Sequence, residues 1–208
     1  MAAVSMQKPE NSVPIENAVH LCVDMQRLFA YGGVWETAWM ERVLPTVVRL
    51  AELRPSRNIF TKFIPPEHPD DRQGRWRQYF ERWRSVTTGV LPLAQLDLVA
   101  PLATMIPPGI SLEKTRYSAF SGTPLYAFLM EKGIDTIILS GAETDVCVLS
   151  TALSAVDLGF RTIIVEDALC SSSDEGHDSL MQMYRTRYSE QIEVLQSAHI
   201  PDLWRDDH

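Results

Sequence analysis

Three residues far apart in the chain carry side chains that could together carry out acyl transfer through a thioester: Asp24, Lys114 and Cys147. A thiol attacks a carbonyl carbon only after losing its proton, and a carboxylate can take that proton when burial raises its affinity for it. A nearby ammonium balances whichever anion results, so the trio can hold one mobile proton. Cys147 follows the turn GAETD, close to the start of an apolar stretch with helical period. A helix start there, capped by Thr144 or Asp145, would favour a thiolate and offer N–H groups to a developing oxyanion. Each residue by itself also has a plainer reading: Asp24 as a cap, Lys114 as solvated surface, Cys147 as a small core residue. Spacing alone leaves both readings open.

The elements that must position the trio alternate. AVHLCVDM (18–25) is a short apolar run that predicts a buried strand, and NIFTKFI (58–64), DTIILSG (135–141), FRTIIVEDA (160–168) and IEVLQS (192–197) predict further strands. A short strand ends near Lys114. Helical spacing is present over 36–54, where Pro45 calls for a kink or first turn, and over 145–159 and 172–188. Another helix follows Thr123 and Pro124, closed by Gly133. Residues 67–109 are irregular and predict short helices and loops. The alternation predicts an α/β fold: a three-layer α-β-α domain around a mostly parallel, roughly six-stranded doubly wound sheet over residues 18–208. A polar, flexible arm is expected over 1–17. Sites in such sheets lie beyond the carboxyl ends of the strands, where Asp24, Lys114 and the GAETD turn fall.

Bulk properties narrow the function class. A net charge of −8 lacks the basic footprint of a general nucleic-acid binder. Three cysteines form no disulfide framework, and no apolar run is long enough to cross a bilayer. With no basic, apolar leader at the start, a soluble cytoplasmic protein acting on a small molecule is expected, with no nucleic-acid or membrane partner.

The segments VDMQRLF, EKTRYSAFSGTPL and LSGAETDVCVLSTALSAVDLGFRTIIVEDA resemble, in order, the three signature segments of the isochorismatase-like cysteine hydrolase superfamily, which includes nicotinamidases, N-carbamoylsarcosine amidohydrolases and ureidoacrylate hydrolases. The resemblance implies a catalytic triad of Asp24, Lys114 and Cys147. It also implies a non-proline cis peptide at Ala142–Glu143, and an oxyanion hole of the Glu143 and Cys147 N–H groups. It further implies a homo-oligomer, dimer or tetramer. Isochorismatases proper cleave a vinyl ether without a thiol, so Cys147 favours C–N bond hydrolysis; a vinyl-ether hydrolase and a non-catalytic binding module are the alternatives. Nicotinamidases bind a metal through residues after the second strand. Thr61 and Phe63 occupy those ligand positions here and His68 is isolated, so no metal and no other cofactor is expected.

Candidate pocket residues are Phe29, Trp35, Phe63, Trp76 and Tyr117, with Tyr31 a further aromatic after the Asp24 loop. Trp76, Tyr79, Phe80 and Trp83 share one face at helical spacing, which suits core, a subunit contact or a pocket wall. The arginines of the same segment (Arg72, Arg75, Arg77, Arg82 and Arg84) could grip an anionic group. Cys22 and Cys170 read as structural, His177 as a helix-surface or interface residue, and Asp167 as a brace or cap.

Overall fold

In the computed structural model, which describes residues 13–205, the strands are β1 (Ala18–Val23), β2 (Asn58–Phe63), β3 (Ile110–Lys114), β4 (Thr136–Ala142), β5 (Arg161–Cys170) and β6 (Ile192–Leu195). They form one sheet in the order β3-β2-β1-β4-β5-β6, and every pairing is parallel. The helices are α1 (Met40–Leu53), α2 (Gly74–Arg82), α3 (Ala100–Ala103), α4 (Leu125–Glu131), α5 (Leu149–Asp157), α6 (Asp174–Thr186) and α7 (Ile200–Leu203).

Alternation along the strands divides the core in two. Cys22 and Phe60 join Val43, Val47 and Leu50 of α1, Phe80 of α2 and Leu203 of α7 on one face. Leu21 and Val23 join Leu129 of α4, Ala152 of α5 and Tyr184 of α6 on the other. Central strands covered on both sides have no solvent-facing side, which is why β1 and β4 are buried along their whole length and are apolar apart from His20, Thr136 and Ser140. Pro45 lies inside α1 beyond its first turn.

Residues 1–12 of the expected arm lie outside the described residues. Residues 13–17 are not loose. Ile15 is fully buried and bridges to Trp204, while Arg161 donates to the carbonyls of Val13 and Pro14.

One polar residue faces the core from β1. His20 bonds through Nδ1 to Asn58 Oδ1 (2.8 Å) and through Nε2 to Ser140 Oγ (2.7 Å). Burial pulls its imidazole down from 6.5 to about 4, against the smaller opposing effect of the Asn58 bond. A depressed folded-state value leaves stability intact above the unfolded value and removes it as pH falls toward the folded one. The unfolding free energy should therefore fall by roughly 3 kcal/mol between about pH 6.5 and pH 4. Urea denaturation across that range checks it: His20→Asn should flatten this limb, and an equally steep limb in the variant would refute the assignment.

The strand order reverses between β1 and β4, so the crevice at their carboxyl ends is the switch point where such sheets bind ligands. Gly141 lets the two strand ends approach there. It has φ +106°, and a Cβ would lie 2.1 Å from the Val23 carbonyl oxygen.

Candidate active site

Asp24 is the first residue past β1 and adopts a left-handed conformation, φ +48°. Its carboxylate is fixed from β2: Thr61 Oγ1 donates to Oδ1 at 2.6 Å and accepts from the Asp24 N–H at 3.0 Å. Thr61 thus stands at an expected metal-ligand position but holds the acid, a role its sequence position does not signal. The ammonium of Lys114 is 2.6 Å from Asp24 Oδ2, and both side chains are fully buried. Lys114 ends the edge strand, two strands from β1, or about 10 Å at ordinary strand spacing. Only a long side chain lying across the end of β2 makes this contact. It passes Phe63, whose ring centroid is 5.2 Å from Nζ, and donates to the carbonyls of Arg116 and Tyr117 at 3.0 Å each. Burial works to lower the Lys114 ammonium, but Asp24 and Cys147 more than reverse this and hold it above its ordinary value.

Cys147 sits across the switch point, buried, and feels the charges of both Asp24 and Lys114. The turn that carries it differs from the expected helix start. The Ala142–Glu143 peptide is cis. The Glu143 carbonyl then accepts from Val146 N (3.1 Å) and from Val148 N (3.0 Å), a wide five-residue turn over Thr144–Val148 that precedes α5. Neither Thr144 nor Asp145 caps it. Thr144 Oγ1 contacts the Cys170 carbonyl (3.2 Å) and His177 Nδ1 (2.8 Å), and Asp145 accepts from Ser171 Oγ (2.5 Å). His177 is therefore not a surface residue. It is buried, lies 5.2 Å from the Trp39 ring, and ties α6 to the turn. Asp167 binds the Ser197 N–H and hydroxyl, away from this turn. Cys22 and Cys170 are fully buried, and burial pushes the Cys22 thiol up to about 12.

The protonation of Cys147 also departs from the sequence expectation. Burial first, and then the Asp24 carboxylate, push the thiol well above its ordinary value, with Lys114 opposing. The resting state is a neutral thiol beside a carboxylate–ammonium pair, not a standing thiolate. Iodoacetamide should accordingly alkylate Cys147 at pH 7.5 at least about tenfold more slowly than a free thiol, gaining rate only above the ordinary thiol range. Mass-spectrometric quantification of the Cys147 peptide against pH measures this. Fast labelling at neutral pH would show the thiolate to be preformed.

A cleft of about 370 Å³ opens above the thiol. Phe29, Trp35 and Phe63 line it, whereas Tyr31 is exposed to solvent. Trp76 and Tyr117 do not line it: they pack on each other at 4.9 Å, and Trp76 also stacks on the buried Phe80. Tyr79 and Trp83 take their place. Tyr79 and Trp83, four residues apart, turn toward Trp35, while Trp76 and Phe80, also four apart, pack on each other. None of the five arginines lines the cleft; Arg77, for example, pairs with Asp70 and Glu81. Gln26 clasps Phe63 from both sides, accepting from its N–H (2.8 Å) and donating to its carbonyl (3.1 Å). His68 is exposed beside Glu67, and among the described residues no group of three His, Cys, Asp or Glu could hold a metal ion. Nor is any helix among them long and apolar enough to cross a membrane.

The isochorismatase domain matches residues 18–196. The chain belongs to the isochorismatase-like hydrolase superfamily. Within that family it is 30% identical over 167 residues to a probable inactive nicotinamidase of Arabidopsis thaliana, covering 77% of this chain and 84% of the relative. It is 26% identical over 204 residues to a nicotinamidase of Acinetobacter baylyi, covering 88% and 94%. A solved structure of a cysteine hydrolase from Pseudomonas syringae has the same fold, with a TM-score of 0.80 at 22% identity over 95% of this chain and 97% of that one.

Proposed function

We propose that this isochorismatase-family hydrolase cleaves a C–N bond in a small amide, ureido or carbamoyl compound through a thioester on Cys147. The observation that carries the reading is a buried cysteine lining an aromatic cleft, close to a fully buried carboxylate–ammonium pair. In this mechanism Asp24 accepts the thiol proton as Cys147 Sγ attacks the carbonyl carbon. The oxyanion rests on the Glu143 and Cys147 N–H groups. Asp24 returns the proton to the departing nitrogen as the C–N bond breaks. Water, giving a proton to Asp24, then cleaves the thioester, and that proton passes to the leaving thiolate. Lys114 keeps the site near neutral throughout. No step calls on a metal. We further propose that the chain acts in the cytoplasm as a homo-oligomer.

A screen of primary amides, ureas and carbamoyl amino acids with ammonia detection tests this reading, with Cys147→Ala as the control. Ammonia release confined to the wild-type chain supports it, and equal release by both chains defeats it. The relative named as probably inactive favours a second reading, a binding protein without turnover. A ligand that binds to this chain and is never cleaved would establish that reading instead.

A further inference from the structure

The cleft has a charge pattern that the hydrolytic scheme does not use. Five of its lining side chains are aromatic, with Trp35 as their hub. The Trp35 ring lies 5.9 Å from Phe29, 6.2 Å from Phe63, 6.1 Å from Tyr79 and 5.9 Å from Trp83, the last edge-on. The ionisable groups lining the cleft, apart from the Tyr79 hydroxyl and Cys147 itself, are two acids, Glu36 and Glu143. Arg82 lies 5.9 Å from the Trp83 ring and Lys114 Nζ 5.2 Å from the Phe63 ring, but neither is on the cleft wall. Each is held by the backbone: Glu36 Oε2 accepts from Gly32 N (2.9 Å) and Glu143 Oε1 from Ser172 N (3.0 Å). No lysine or arginine lines the cleft. Lys114, behind its floor, is fully buried and already paired with Asp24.

Ring faces carry negative potential and attract cations, most strongly where water is displaced. Two carboxylates reinforce that attraction and repel an anion. An anionic substrate would meet like charge and find no donor side chain of opposite sign. We propose that the substrate carries a cation, such as an alkylated ammonium or amidinium, at the end remote from the scissile bond, with Trp35 and its neighbours enclosing it and Glu36 as counter-charge. This rests on the hydrolytic reading for what happens at Cys147, while the cation-binding part stands on the cleft alone.

Three primary amides of matched shape test the proposal: 4-(trimethylammonio)butanamide, its neutral isostere 5,5-dimethylhexanamide, and glutaramate. The expected kcat/KM for the cation exceeds that of the neutral isostere by about tenfold or more, and glutaramate is the poorest. Glu36→Gln should shrink the cation-to-neutral ratio. Equal rates for cation and isostere, or a preference for glutaramate, would overturn the proposal. Calorimetry of tetramethylammonium chloride against Cys147→Ala separates this from the hydrolytic reading. Saturable binding, weakened by adding Glu36→Gln, with no amide cleaved by the wild type, keeps the cation site and removes the hydrolase. Absence of binding removes the cation site whether or not amides are cleaved.

Discussion

Cys147→Ala should reduce turnover of any C–N substrate to background, a loss of at least about 10⁴-fold, because no other group at the cleft floor can form the thioester. The fold should survive. Cys147 is 6% exposed and its loss removes one sulfur atom beside the cleft, so the change should cost on the order of 1 kcal/mol. Steady-state ammonia release, with circular dichroism and thermal melting as controls, measures both effects. The same variant separates the two hydrolytic chemistries. A vinyl-ether hydrolase using Asp24 as general acid would keep its rate without the thiol, whereas the thioester route cannot. A well-folded Cys147→Ala chain that still releases ammonia at the wild-type rate would end the proposal.

Lys114→Met should have the largest effect on stability. Methionine nearly matches the aliphatic length of lysine but leaves the Asp24 carboxylate fully buried without its cation. Breaking a buried pair from one side costs about 3–5 kcal/mol, a large share of a typical domain's stability. The cost depends on pH in a defined direction. Without the ammonium, burial penalises only the ionised carboxylate, so the cost is relieved in acid and grows as pH rises. The deficit relative to wild type should therefore be small near pH 4 and large at pH 7.5, as read from urea midpoints. Turnover should be lost at both, because Asp24 no longer shuttles a proton beside a fixed positive charge. Adding Asp24→Asn should recover much of the stability at pH 7.5 and none of the activity. A single variant as stable as wild type at pH 7.5 would mean that the ion pair does not shape the site.

The interior positions explain why some of this was readable in advance and some was not. The strands were legible because a parallel sheet buried on both faces demands mainly apolar runs rich in branched side chains, as in AVHLCV and TIILSGA. Asp24, Lys114 and the Cys147 turn could be named because polar residues ending such runs fall on one edge of the sheet. Thr61 and His177 were not legible in their roles. Thr61 meets Asp24 across 37 residues and His177 meets Thr144 across 33, and a lone threonine or histidine has no local pattern that declares its partner. The exchange of Trp76 and Tyr117 for Tyr79 and Trp83 in the cleft has a similar origin. Helical spacing puts the α2 aromatics on one broad face, and only packing against Trp35 on one side and Tyr117 on the other decides which of them meet the cleft.

Local order in the chain therefore determined the alternating α/β pattern and the strand ends, which follow from side-chain volume, branching and period, properties of neighbouring residues. The three candidate reactive groups lie at or near those ends, and the resemblance of the segments around them singled them out. Tertiary structure decided the proton's resting place, the wide turn under Cys147, the aromatic walls and the all-acidic charge of the cleft. Desolvation and Coulomb forces depend on distances across the sheet and on what excludes water, and neither is encoded in any short stretch of sequence.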